Sequence, residues 1–195
     1  MEALQAILTR RSTRNYRPDQ VEPEKLNLIL DAARQAPSGG NNQTNHFLVI
    51  RSRKVLQELV RLAETAFSEM ELTEDMYISL KRSVAASKKG GYVFCYNAPV
   101  LIVVANRKDY GNNQSDCACA IENMMIAANA LDLGSCWINQ LRWLSEDPRL
   151  LDYLRALGMR EDERVYGSVI IGYPASGAPN RTLMEQKGNE VTFVD

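Results

Sequence analysis

"APVLIVVA", residues 98–105, and "SDCACAIENMMIAANALDLGS", residues 115–135, decide the fold between them. The first is an aliphatic, largely β-branched run without polar interruption, the pattern of a strand in a sheet covered on both faces. The second carries apolar residues nearly all round a helical turn, which predicts a central buried helix that Gly134 can end in a left-handed cap. The flanking sequence supplies further elements. Leu4, Ile7 and Leu8 space a short first helix. Pro23 suits the first turn of a second, with Leu26, Ile29, Leu30 and Ala33 as its apolar face and Pro37 as its stop. "HFLVIR" (46–51) reads as a strand, and residues 54–67 as a helix with Val55, Leu56, Leu59, Leu62 and Ala63 at helical spacing. Beyond the central helix, "SCWI" (135–138) is a short strand. "SEDPRLLDYLRALG" (145–158) is a helix with Ser145 as N-cap and Gly158 as terminator, and "VYGSVIIGYP" (165–174) is the last core strand. Strands alternating with helices, after two helices at the front, predict an α/β or α+β sandwich of helices on a central sheet.

Two segments fit this pattern less well. Residues 68–92 are rich in charge, end in "SKKGGY" and have the weakest periodicity of the chain, as expected of a mobile or variable helical insert. Residues 175–190 have little to bury, yet "VTFVD" (191–195) alternates like a strand. A strand beyond a polar arm has to find a sheet, and a partner subunit's sheet is one place to find it.

The chain has 195 residues, 45% hydrophobic, enough for one sizeable core, so residues 1–195 read as a single domain. Its 23 basic and 24 acidic side chains give a formal charge of −1, with no general pull toward nucleic acid or an anionic membrane. The opening "MEALQAILTRRS" places its basic residues after the apolar stretch, the wrong order for a secretory signal, and no run is long enough to span a bilayer. A cytoplasmic protein is the expectation. Any anion site must be local, and "LTRRSTRNY" (8–16) is the place for one: a cationic, hydroxyl-bearing cluster on the connection after the first helix.

Much familiar chemistry is missing. His46 is the only histidine and opens a strand with no nucleophile motif nearby, so a structural role is expected of it. Cys95, Cys117, Cys119 and Cys136 lack the spacing of a disulfide framework or a zinc site and read as buried structural thiols. No glycine-rich phosphate-binding motif occurs. Glu161, Asp162 and Glu163 read as a solvated charged turn. Without base, nucleophile or metal cluster, the sequence points to chemistry that a cofactor carries.

Five stretches then become specific: "RRSTRNY" (10–16), "AARQAPSGGNNQ" (32–43), "NAPVLIVVA" (97–105), "ENMMIAANALDLGSCWI" (122–138) and "GYP" (172–174). In this order and spacing, the chain resembles the FMN-dependent nitroreductase family over essentially its whole length. The resemblance implies an α+β sandwich with a central, mostly antiparallel sheet flanked by helices. It also implies an intertwined homodimer with FMN at the subunit interface, and residues from both chains around each flavin. Arg10, Ser12 and Arg14, with Arg11 adjacent, match the segment that holds the FMN phosphate and ribityl chain, a task for which guanidinium forks and a hydroxyl are suited. Arg181, after the "GYP" turn, matches a second phosphate contact, with Lys187 as substitute. Pro37, Ser38 and Gly39 match the loop packed on the flavin ring from the other subunit, with Asn41 and Gln43 as polar contacts. The family usually continues Gln-Pro-Trp, whereas this chain has Gln43-Thr44-Asn45. Trp137, Ile138 and Asn139 match the loop whose backbone amides approach flavin N5 and O4.

The activity implied is an NAD(P)H-dependent FMN oxidoreductase working by ping-pong. NADH or NADPH gives hydride to the flavin, and a small electron-poor acceptor such as a nitroaromatic or quinone takes it away. Other reactions of the superfamily, namely dehalogenation, ene reduction and flavin breakdown, or a non-catalytic flavin-binding dimer, are the alternatives.

Overall fold

The computed structural model describes residues 2–178, 183, 185 and 188–194. Four strands, β1 (His46–Ile50), β2 (Val100–Arg107), β3 (Gly134–Ile138) and β4 (Glu163–Gly172), form one sheet in the order β1-β2-β4-β3, every pair antiparallel. Helices α1 (Ala3–Thr9), α2 (Pro23–Arg34), α3 (Arg53–Glu69), α4 (Ile78–Lys89), α5 (Asn113–Ala130), α6 (Gln140–Trp143) and α7 (Pro148–Ala156) surround it. This is the α+β sandwich expected. Among the described residues no helix is long and apolar enough to cross a membrane.

The reading of β2 holds for a visible reason: its residues are buried from Val100 to Asn106, and alternate side chains enter two cores. Leu101, Val103 and Ala105 pack with Leu59, Ala63 and Phe67 of α3, while Val100, Ile102 and Val104 pack with Ile29 of α2 and Ile121, Met124 and Met125 of α5. Each buried Val, Leu, Ile, Phe or Met among them contributes about 1.5–3 kcal/mol, and β2 joins the two halves of the core.

Several local expectations change. The helix expected over residues 145–158 is α7, which starts at Pro148, and its cap is Asp147, whose side chain accepts from the backbone N–H of Arg149 and Leu150. Ser145 is buried and accepts from Arg164 Nε at 2.9 Å instead. The left-handed residue after α5 is Asp132, with φ of 63°, and Leu133 N bonds Ala128 O at 2.8 Å in the closing turn. Gly134 already belongs to β3, where its missing side chain serves a close approach described below. The insert at residues 68–92 is helical as expected: it contains α4, whose Ser83, Val84 and Ser87 are buried, and Lys88 Nζ donates to Ser68 O of α3 at 2.8 Å. Small hydroxyl residues on the buried face explain its weak apolar periodicity. Residues 191–194 form no strand within this chain, and Val191, Phe193 and Val194 are 74%, 86% and 92% exposed.

Candidate functional site

After α1 the chain runs along the outer edge of β3. Ser12 bridges Ser135 in parallel, Thr13 N donates to Ser135 O at 2.9 Å, and Arg17 N donates to Tyr173 O at 2.9 Å. The contact is close enough that a Cβ on Gly134 would lie 2.6 Å from Thr13 Oγ1 and 2.7 Å from Thr13 Cβ. Residues 10–14 are thereby fixed as a strip. Arg10 is half-buried, with Nε 3.7 Å from Glu122 Oε1, and Arg14 is exposed. Arg11 turns back, donating from Nη1 to Arg10 O at 2.6 Å and Leu8 O at 3.2 Å. Its Nη2 is buried without a hydrogen-bond partner, as is Ser135 Oγ, and both residues line a cavity of about 20 Å³ shared with Arg10 and Thr13. Beneath the strip, burial pushes the Cys136 thiol up against the opposing pull of Arg14, Ser12 and Arg10. Arg10, Ser12 and Arg14 thus set two guanidinium groups and a hydroxyl close together along this edge, with Arg11 turned inward beside them.

β3 carries the site onward. Ile138 is buried, and Trp137 Nε1 donates to Asn139 Oδ1 at 2.9 Å just before α6. Gln140 Nε2 donates to the Tyr92 hydroxyl at 2.9 Å, and Tyr92 also bonds Ser83 of α4 at 2.8 Å. Burial raises the Tyr92 phenol, with Ser83 and Gln140 acting against it. Exposed Tyr77 meets Trp143 edge to face, with centroids 6.1 Å apart. One edge of the sheet therefore gathers Arg10, Ser12, Arg14, Trp137, Ile138 and Asn139 beside α4.

The loop of residues 37–43 lies elsewhere. Ile138 pairs with Ser168, Ser168 with Val103, and Val103 with Leu48, so Trp137 and its neighbours face the loop's entry into β1 across the full width of the sheet. Three strand spacings amount to about 14 Å. Within one chain, Pro37, Ser38, Gly39, Asn41 and Gln43 do not join the other predicted residues. Gly40, Asn41 and Gln43 have φ of 58°, 54° and 51°, and Ser38 Oγ accepts from Gln43 N at 3.0 Å. Outside contacts hold this loop. Gly39 N donates to the Asp116 carboxylate at 3.2 and 3.3 Å, and the Tyr110 hydroxyl lies 2.9 Å from Gly39 O and 3.0 Å from Asp116 Oδ2. Asn45 donates to Asp116 O at 3.0 Å and accepts from Asn106 at 2.8 Å and the Cys117 thiol at 3.2 Å. Both atoms of the Asn45 side-chain amide are thereby engaged. A cleft of about 610 Å³ runs beside the loop, lined by Ser38, Gln43, Thr44 and His46 against α2.

Sequence reading missed Tyr110, Asp116 and Asn106, because a lone aspartate in a helix apolar nearly all round gives no local signal. It also misplaced Glu163, which is fully buried, with Oε2 2.7 Å from His46 Nδ1 and accepting from Arg160 N at 2.8 Å. His46 has the structural partner expected of it. Cys119 is exposed, unlike the other three cysteines. Arg181 and Lys187 lie outside the described residues.

A sequence model of the nitroreductase family matches residues 7–173. A relative from Archaeoglobus fulgidus, provisionally named an NADH dehydrogenase/NAD(P)H nitroreductase, is 30% identical over 89% of this chain and 86% of its own length. A nitroreductase with bound FMN from Bacteroides fragilis is 37% identical, covers 100% of both chains and superposes with a TM-score of 0.84. Another, from Desulfitobacterium hafniense, shares the fold with a TM-score of 0.82 at 24% identity over 100% of both chains. The chain belongs to the nitroreductase family.

Proposed function

We propose that this member of the nitroreductase family is an FMN-dependent oxidoreductase. The carrying observation is the strip along β3, where the Ser12–Ser135 bridge and the 2.9 Å bond from Thr13 N to Ser135 O fix Arg10, Ser12 and Arg14 next to one another. Guanidinium forks beside a hydroxyl suit a phosphate-bearing ligand, at about 1.5–3 kcal/mol for each charge-assisted bond. Arg10, Ser12 and Arg14 would hold the phosphate and ribityl chain, and the backbone at Trp137, Ile138 and Asn139 would face the ring. When bound, FMN supplies two-electron chemistry, accepting hydride from NADH or NADPH and delivering it to an electron-poor acceptor such as a nitroaromatic or a quinone.

The separation of the two groups across the sheet supports a site shared between two copies. A ring beside Trp137 lies at the far edge from its own 37–43 loop, so the loop that packs on it would come from a partner. β1 pairs with no strand on its outer edge among the described residues, and the exposed Val191, Phe193 and Val194 suit a strand for such an edge. Both features support a C-terminal arm that crosses to the partner.

A yellow preparation that NADH or NADPH bleaches anaerobically is the expected result. Colourless protein that cannot be reconstituted with FMN refutes the reading, and a yellow protein that neither nucleotide bleaches refutes the donor.

A further inference from the structure

The 37–43 loop contains a conformational problem. Asn41 and Gln43 both adopt left-handed backbone, as does Gly40 between Gly39 and Asn41. For residues with a Cβ that region is unfavourable, so the loop keeps this shape only where surrounding contacts over-determine it. Within the loop, Ser38 Oγ bonds Gln43 N, and Asn41 Oδ1 accepts from Gln43 Nε2 at 3.0 Å. These bonds set its internal form and leave its position on the protein to other groups.

Position comes from the start of α5 and the turn before it. Gly39 is gripped at both of its backbone polar groups, its N–H by Asp116 and its C=O by Tyr110. The grip is tight: a Cβ on Gly39 would lie 2.0 Å from Asn112 Nδ2 and 2.6 Å from the Tyr110 hydroxyl. Asp116 is buried, as is Asn106, so neither has ready access to water as a substitute partner. At the other end of the loop, Asn45 uses both atoms of its amide, donating to Asp116 O and accepting from Asn106 and Cys117. Asp116 therefore fixes the loop twice, through its carboxylate at Gly39 and through its backbone carbonyl at Asn45.

We propose that Tyr110, Asp116 and Asn45 form a clamp that holds the 37–43 loop in register for the flavin ring, acting as positioning residues without touching the cofactor. The proposal rests on the reading above that this loop packs on FMN. It follows that flavin affinity and the asymmetry of the flavin's surroundings respond to side chains buried behind the loop.

The test uses the full chain, as apoprotein and reconstituted with FMN. Tyr110→Phe removes one hydroxyl and keeps the ring. Loss of one ordinary hydrogen bond predicts FMN binding weaker by about 3- to 10-fold, with faster amide exchange at residues 38–43 in the apoprotein and an altered visible circular dichroism of bound FMN. Asp116→Asn, which keeps an acceptor for Gly39 N, should lose less than Asp116→Ala. Asn123→Ala breaks a bond from the same helix to Ala32 O, 2.9 Å long, and is expected to lower stability without moving exchange in the loop or the dichroism. Wild-type protein that takes up no FMN overturns the flavin reading. Wild type that binds FMN, beside a Tyr110→Phe variant with unchanged loop exchange, dichroism and affinity, overturns the clamp alone.

Discussion

Gly134→Ala is the sharpest perturbation of the strip that carries Arg10, Ser12 and Arg14. The new methyl carbon would meet Thr13 Oγ1 at 2.6 Å and Thr13 Cβ and Cγ2 at 2.7 Å. Because Thr13 Cβ is itself one of the colliding atoms, no rotamer change relieves the contact, and the strip must move off β3 by about 1 Å to reach ordinary carbon–carbon separation. Such overpacking costs about 1–3 kcal/mol. Stretching the 2.9 Å bond from Thr13 N to Ser135 O adds a further loss of about 1 kcal/mol. The combined destabilisation of about 2–4 kcal/mol corresponds to a fall of roughly 4–16 °C in Tm for a chain of this size. Denaturant unfolding and FMN titration measure both consequences, since a displaced strip should also lose flavin affinity. Thr13→Gly removes all three colliding atoms, so the double variant should be more stable than the sum of the single losses by at least about 1 kcal/mol. Strict additivity, or a Gly134→Ala protein with wild-type stability and affinity, refutes the close-approach argument.

Three other outcomes are expected. Arg10→Ala should weaken FMN binding about 10- to 150-fold if the guanidinium contributes a charge-assisted bond of roughly 1.5–3 kcal/mol; an unchanged titration in folded protein would leave Arg10 with its Glu122 contact alone. Burial pushes the Cys117 thiol from its ordinary 9.0 up to about 12, so the unfolded chain releases this proton first: stability is intact below pH 9 and falls as pH rises toward 12. The slope from this one group is about 1.4 kcal/mol per pH unit, and Cys117→Ala should flatten the alkaline fall by that amount in denaturant titrations. Deleting residues 189–195 should lower dimer stability and flavin retention together in sedimentation; a truncation that behaves as wild type removes the crossing arm.

How much of this was legible in the sequence depends on how local each cause is. β2 was readable because its aliphatic run is its own explanation, and the later structure only adds which residues face which core. The cap of α7 was readable too, but from a different signal than Ser145: Pro148 marks the first helical position, which makes Asp147 the cap. Glu163 was hidden because its partner His46 lies 117 residues away, and a charge run looks the same whether its last member is solvated or buried. The three arginines of the strip look alike in sequence, yet backbone geometry turns Arg11 inward while Arg14 faces solvent.

The arrangement of the site was the least legible part, and the register of the sheet shows why. No periodicity in the chain states that the end of β3 and the entry to β1 sit at opposite edges; that follows only from the order β1-β2-β4-β3. The two edges then differ in kind. β3 is met on its outer side at Ser135 by Ser12 and Thr13, and the same strip continues to bridge Pro174, just past β4, through Tyr16, while β1 pairs with no strand on its outer side among the described residues. An open edge, a loop in a costly conformation beside it and an exposed apolar tail are separate liabilities for a single copy. The proposed two-fold pairing would address all three with one operation: it would cover the edge with the partner's tail, set each loop against the partner's strip, and bury Val191, Phe193 and Val194. Chains mixed from an Arg10→Ala variant and a Gly39→Ala variant therefore provide a decisive test of sharing. If each site draws its strip from one subunit and its loop from the other, half the sites of the mixed dimer carry both defects and half carry none. The mixture should then recover tight FMN binding that neither parent shows, and no recovery after verified subunit exchange refutes the shared site.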